Sequence, residues 1–265
     1  MEIIGYIASI LIGVALGLIG GGGSILTVPV LVYLFAVDAV AATAYSLFIV
    51  GITSAVGSVS YFRNGLVNVK TAIIFGIPSI IAVFLTRAFV VPAIPKEVLT
   101  VGDFVLTKSI LLMLIFAVLM IAASYSMIKK NTKKADQADE EQNFNYPVIL
   151  LEGTVVGALT GLVGAGGGFL IIPALVILSK LPMKEAVGTS LVIIAAKSLM
   201  GFLGESGSTE MNWFLLLSVA AFAIVGIFIG AQLAKKIDGA KLKPAFGWFV
   251  LVMGIYILLK ETVFK

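Results

Sequence analysis

The sequence predicts an all-α polytopic membrane protein of two inverted-topology repeats, each a re-entrant or short broken-helix hairpin plus three full transmembrane helices. Three observations predict it: an apolar composition, long uncharged stretches of which two are cut by glycine runs, and an ungapped match of the chain to itself. Of 265 residues, 60% are hydrophobic and 12% charged, and 28 are glycine. A soluble domain carries roughly 25% charged residues, so most of this surface must face lipid. That excludes a soluble enzyme, a nucleic-acid binder and a disordered scaffold. Cys and His are both absent, which removes disulfides, thiol catalysis, imidazole bases, haem ligation and the usual zinc sites. With no phosphate-binding Gly-rich loop either, the expectation is no enzyme, no cofactor and no metal.

Eight apolar stretches lie between charged or turn-rich breaks: 3–36, 39–62, 69–91, 107–128, 147–179, 184–204, 212–234 and 244–259. About 20 residues span a bilayer, so the first and fifth stretches are too long for one helix. Each is interrupted near its middle, by Gly20 to Gly23 in one and by Gly164 to Gly168 in the other, with Ala165 the single non-glycine. Lipid tolerates broken backbone only where protein or water satisfies the freed amides and carbonyls, so both breaks belong inside the protein. The opening Met1-Glu2 lacks a basic region and runs into the first stretch, which reads as mature structure and not as a signal peptide.

Sliding the chain by 144 residues lays Gly17-Leu18 on Gly161-Leu162, Gly20 on Gly164, Gly22-Gly23 on Gly166-Gly167, and Leu26 and Pro29 on Leu170 and Pro173. The register persists through Ser46 on Ser190, Ser54 on Ser198, Gly57 on Gly201 and Asn68 on Asn212. Shared apolar composition does not produce such an ordered match, and the pattern reads as a duplicated fold. The expected organisation is a first transmembrane repeat at 1–128, a charged cytoplasmic linker at 129–146 and a second transmembrane repeat at 147–265.

Orientation follows from the basic residues, which favour the cytoplasmic side. If each glycine-split stretch enters and returns on one side, then Arg63, Lys70, Lys129, Lys130, Lys133, Lys134, Lys180, Lys184, Lys235, Lys236, Lys241 and Lys243 share one face. Arg87, Lys96, Lys108, Lys260 and Lys265 fall on the other. A single crossing would instead separate the two four-lysine clusters. The hairpin arrangement leaves three full crossings between the two breaks, so the halves have opposite topology, an architecture of transporters. The central loop is then cytoplasmic and both termini are not. Arg87, near the end of its span, reads as an interfacial anchor.

In such proteins the substrate sits where broken helices point inward at the repeat interface. Gly22, Gly23 and Ser24, with Gly166, Gly167 and Gly168, are candidates for a small-anion site, because successive amides at a helix start attract negative charge. Tight helix packing is the plainer role for such glycines. Lys197 lies well inside the 184–204 span, where a charge is costly enough to suggest function, and its repeat partner is Thr53. Ser190, Lys197 and Gly201 share a helical face, as do Ser46, Thr53 and Gly57, with Ser198 beside them. An ammonium amid hydroxyls and amides suits a compact oxyanion. The structural alternative is a lysine paired with Glu152 or Glu205. Glu152, at the start of the second broken stretch, is also the candidate for proton coupling.

The motifs from Gly17 to Pro29 (GLIGGGGSILTVP) and from Gly161 to Pro173 (GLVGAGGGFLIIP) resemble the paired signatures of the TauE/SafE family of sulfite exporters. The stretch Glu185 to Ser190 resembles the segment that follows the second signature. The resemblance covers nearly the whole chain. It implies export of a small sulfur oxyanion, such as sulfite, across the cytoplasmic membrane of a bacterium or archaeon by alternating access, driven by the proton gradient or the membrane potential. Sulfoacetate, thiosulfate or another organosulfonate fits the same logic, and a passive small-anion channel is the rival mechanism. The expected partners are the anion and the lipid bilayer, with no nucleic acid and with homodimerisation left open. Because the chain has no cysteine, orientation is directly testable: a cysteine at Ser206 should label from outside the cell and one at Asp136 from inside. Labelling of both from one face would overturn the assigned topology.

Overall fold

The computed structural model describes residues 2–21, 23–101, 104–128, 146–164, 167–177, 181–204, 211–234 and 239–263. In chain order the elements are α1 (Glu2–Ile19), α2 (Ser24–Tyr33), α3 (Ala39–Arg63) and α4 (Val69–Leu85), which continues through a π-helical segment (Thr86–Val90) into a final turn, α5 (Val91–Ala93). Strands β1 (Glu97–Val101) and β2 (Phe104–Thr107) follow, then α6 (Lys108–Ile128). The second half holds α7 (Tyr146–Val163), α8 (Gly168–Ile177), α9 (Met183–Leu203), α10 (Trp213–Ala234) and α11 (Gly239–Thr262). Among the described residues, five spans are long and apolar enough to cross a membrane: α3, α4 through α5, α6, α9 and α10. The chain is a multi-pass helical membrane protein. Nearly all of the expected linker, at 129–145, lies outside the described residues.

One correction to the all-α expectation is the small antiparallel hairpin, in which Glu97 lies opposite Thr107 and Val101 opposite Phe104. Its strands are rich in Val, Leu, Thr and Phe on either side of Gly102-Asp103, a pattern of β-formers about a turn dipeptide.

Helix ends in the two halves coincide under the 144-residue offset. α1 stops at Ile19 and α7 at Val163; α2 and α8 start at Ser24 and Gly168 and stop at Tyr33 and Ile177. α3 and α9 start at Ala39 and Met183, α4 and α10 at Val69 and Trp213. The caps explain part of this. Asn68 Oδ1 accepts from Thr71 N at 3.0 Å and Asn212 Oδ1 accepts from Leu215 N at 3.1 Å, each satisfying an orphan amide of its helix. The same two residues tie the halves together. Asn68 N donates to Thr189 Oγ1 at 2.9 Å, and Asn212 N donates to Tyr45 Oη at 2.7 Å. Tyr45 and Thr189 are themselves equivalent positions.

The first glycine break reverses the chain. A Cβ on Gly23 would overlap Ile12 O and Leu16 N, so α2 starts against the side of α1. Phe35, just past α2, packs edge-on against Tyr6 near the start of α1, with ring centroids 5.4 Å apart. The chain therefore turns back along α1 after the break.

Each returning hairpin leans on the other half. Gly13 and Gly17 of α1 meet the backbone of α10 at Ala223 and at Ile227 to Ala231, while Gly226 and Gly230 of α10 meet α1 at Ile10 and Val14. Contact partners advance together along the sequence, so these helices run parallel, interlocked by small residues four apart on both sides. Gly153, Gly157 and Gly161 of α7 seat in the same way on Phe75, Ser79 and Val83 of α4. Between these pairs lie α3 and α9, the most enclosed spans, with 67% of the spanning window buried against 39% for α4 and α10. They run antiparallel: Gly57 faces Leu191, Leu47 faces Gly201, and Gly51 lies against Leu199 between them. Outward side chains such as Phe214, Leu217 and Phe228 are exposed, as a lipid-facing surface requires.

Adding a side chain at an interlocked glycine should cost about 1–3 kcal/mol through overpacking. Gly226→Val, whose Cβ would strike Ile10 O, should lower the thermal unfolding midpoint in detergent, and the exposed Ala221→Val should not. Equal midpoints would remove the glycine interlock.

Candidate functional site

The two breaks meet at the centre of the molecule. α1 ends with Gly20 at φ +80 and α7 ends with Gly164 at φ +72, left-handed positions that glycine occupies without steric cost. Gly20 N donates to Leu16 O at 2.8 Å and Gly164 N to Thr160 O at 2.7 Å, so the two ends are closed by equivalent bonds. A Cβ on Gly21 would fall on the Gly168 backbone, and one on Gly168 would fall on Gly21. The interrupted segments thus touch backbone to backbone, a contact open only to glycine on both sides.

The predicted glycines take different parts in this arrangement. Gly22 and Gly166 lie outside the described residues. Gly23 serves close packing against α1. Ser24 donates its hydroxyl to Gly21 O at 2.7 Å, and its amide and that of Leu26 bond to Gly21 O and Gly23 O. The start of α2 therefore uses these donors within its own turn. Gly167 is the glycine next to the charge: a Cβ there would overlap Thr160 Oγ1 and come 2.6 Å from Lys197 Nζ.

Lys197 is 0% exposed. Its Nζ donates to Thr160 Oγ1 at 3.1 Å, and the threonine hydroxyl in turn donates to Val156 O. Among the described residues no carboxylate pairs with the ammonium. Glu152 lies eight residues before Thr160 on α7, about 12 Å along the axis, and is only partly buried. Glu205 lies outside the described residues. Sequestering an ammonium against one neutral acceptor costs several kcal/mol, so this charge is balanced by little that the fold itself supplies.

Thr53, the repeat partner of Lys197, sits at the same level of the antiparallel α3 and α9, near the middle of their crossing. It is fully buried, as are Ser46, Ser54, Ser190 and Ser198. Ser190 donates to Val187 O at 2.8 Å and lines the approach to Gly20. The hydroxyls of Ser46, Thr53, Ser54 and Ser198 have no hydrogen-bond partner among the described residues. Buried hydroxyls rarely go unpaired. Four of them lie on the two central helices, α3 and α9, the second of which carries Lys197, and are under-satisfied as they stand. Gly57 and Gly201, expected on the same faces, instead pack against Ile227 and Val83.

Sequence reasoning missed two residues. Thr160 carried a signal: it stands one turn before the Gly164 break, and its repeat partner is Leu16. The half that has the lysine has the hydroxyl, and the half with Thr53 has a leucine, so the two departures from symmetry go together. Arg87 was expected to be an interfacial anchor, but its side chain is 0% exposed, the largest fully buried one described. It stands four residues after Val83, which packs on Gly201, so ordinary helical spacing puts it on the side of α4 that faces α9, beside Gly204.

Comparison with known proteins agrees with the signatures at the breaks. The family model described as sulfite exporter TauE/SafE matches residues 6–257. A "probable membrane transporter protein" of Xylella fastidiosa is 28% identical over 253 residues, covering 94% of this chain and 91% of its own. The Bacillus subtilis "probable membrane transporter protein YunE" is 30% identical over 256 residues, covering 90% and 89%. A "probable membrane transporter protein" of Methanocaldococcus jannaschii is 33% identical over 116 residues, 42% of this chain and 43% of its own. No solved structure matches the chain significantly. With its paired glycine breaks and a family match from Tyr6 to Ile257, the chain belongs to the TauE/SafE family of membrane transporters.

Proposed function

We propose that the protein exports a small sulfur oxyanion, such as sulfite, across the cytoplasmic membrane by alternating access between two inverted repeats. The observation that carries the substrate class is the enclosed Lys197 ammonium, held by the neutral Thr160 hydroxyl at 3.1 Å and without a carboxylate partner among the described residues. A pyramidal oxyanion would neutralise this charge and accept hydrogen bonds from hydroxyls that now lack a partner, Thr53 and Ser198 among them. Charge-assisted bonds of this kind are about twice as strong as neutral ones. Gly167 and Gly168 let the backbone of the second break approach the bound ion closely.

Opposite topology of the halves is supported by the antiparallel run of α3 and α9, which are equivalent under the repeat offset, and by the parallel pairs α1 with α10 and α7 with α4. Two equivalent hairpins meeting at Gly21 and Gly168 give a central point about which access could switch. Export needs no chemical energy source. A monovalent anion leaving a cell with a negative interior gains about 2.3 kcal/mol per 100 mV. If protons also contribute, Glu152 would act at the mouth of α7, remote from Lys197.

Calorimetry on the purified protein with sulfite, sulfate, thiosulfate, sulfoacetate and chloride tests this reading. Sulfite or a sulfonate should bind selectively, and Lys197→Met should weaken binding by at least about tenfold, the loss expected for a hydrogen bond to a charged group, with the unfolding midpoint retained. Undiminished affinity in a folded Lys197→Met protein would make the lysine structural.

A further inference from the structure

Between the C-terminal ends of α3 and α10 lies a cavity of about 670 Å³. It extends about 12 Å along α3, from Val56 to Asn64, and its lining changes character over that distance. Val56 and Ile227 stand at the deep end, and the exposed Val59 and Phe228 open the cavity sideways onto the surface that faces lipid. Toward the helix ends Ser60, Arg63, Asn64 and Gln232 take over, and all four are exposed. None of the described lining residues is acidic.

The carbonyls that close α3 already have donors. Ser60 O accepts from Asn64 N at 3.2 Å and from Asn64 Nδ2 at 2.8 Å, Tyr61 O from Leu66 N at 3.0 Å, and Phe62 O from Gly65 N at 3.1 Å. Arg63 is therefore not needed to cap its helix, and its planar fork of donors at the mouth of an apolar cleft is matched to a phosphate. The groove on the other flank of α3, bounded by α4 and α9, is different. Phe62, Ile73, Ile77 and Ala196 line it, and the rest of its described lining is equally apolar. That groove offers a surface to a hydrocarbon chain and nothing to a headgroup, whereas the α3–α10 cavity offers both in the order in which a lipid presents them.

We infer that the α3–α10 cavity binds an anionic phospholipid of the cytoplasmic leaflet, with its phosphate on Arg63 beside Ser60 and Gln232 and an acyl chain against Val59 and Phe228. The leaflet follows from the distribution of basic residues, which assigns the Arg63 end of these helices to the cytoplasm. A free phosphate would gain nothing from the apolar part of the cavity that opens to lipid. The bound lipid fills the space between a central helix and an outer one and so braces α3, which carries Thr53. It occupies a place separate from Lys197, so the two sites can be tested apart.

The test uses the purified full-length protein in detergent and native mass spectrometry, which counts bound lipids and chains together. One molecule of palmitoyl-oleoyl phosphatidylglycerol per chain should be held at least about tenfold more tightly than phosphatidylcholine with the same acyl chains, as expected for a hydrogen bond to a charged group. Arg63→Gln should remove that preference, whereas Lys70→Gln, the same loss of charge at an exposed residue outside the cavity, should keep it. Ser60→Trp, which fills the cavity and leaves Arg63 in place, should abolish the tight binding and decides the matter if Arg63→Gln does not fold. Equal affinity for the two lipids, an equal loss in Arg63→Gln and Lys70→Gln, or tight binding retained in Ser60→Trp overturns the site. So does equally tight binding of glycerophosphoglycerol, the headgroup without its chains, or a dimer that forms at the expense of bound lipid.

Discussion

Lipid cannot hydrogen-bond an interrupted backbone, and the architecture is organised around that constraint. Two helices stop at Ile19 and Val163, and the chain must turn where no water can compensate. The fold resolves this by closing both ends with the same Leu16 and Thr160 carbonyl bonds and by pressing Gly21 against Gly168. With the breaks back to back, α3 and α9 are forced to the centre as an antiparallel pair, and the hairpins α1–α2 and α7–α8 must pack on α10 and α4 of the opposite half. Glycines four residues apart make those seams. The cross-bonds from Asn68 to Thr189 and from Asn212 to Tyr45 fix the same relation from the helix caps.

Within this near-symmetric frame, the chemistry lies in the departures from symmetry. Lys197 replaces Thr53, and Thr160 replaces Leu16, so one break carries a cation and an oxygen to hold it where the other has a hydroxyl and a methyl-rich side chain. A second departure, Arg87 for Ala231, lies farther out, where a fully buried arginine in one half answers a partly exposed alanine in the other. A fully buried lysine stands near the middle, and a fully buried arginine stands toward one end.

Much of this was legible in the sequence because its signals are local or periodic. Glycine runs mark helix breaks wherever they fall, and the 144-residue register placed α2, α3 and α4 against α8, α9 and α10 with matching first residues. Lys197 stood out because lipid penalises charge regardless of neighbours. What depended on partners distant in the chain was not legible. Thr160 reads as an ordinary helical hydroxyl until the fold brings α9 beside α7. Arg87 lies close enough to a span end to resemble an anchor, and only the packing of α4 against the end of α9 buries it. Ser24 and Gly23, read as donors to an anion, are taken up by Gly21 O and by the side of α1, because the break is tighter than a simple helix start. The β1–β2 hairpin escaped because an apolar-stretch reading passes over two strands of five and four residues.

The proposed anion site between the two breaks should be saturable and exchangeable. Counterflow of radiolabelled sulfite in proteoliposomes tests it most directly, with excess unlabelled sulfite inside and label outside. Label should accumulate transiently above equilibrium, in a manner that saturates with sulfite and is abolished by Lys197→Met. Flux that rises linearly with concentration and shows no overshoot would contradict it and assign these helices to an open anion pathway.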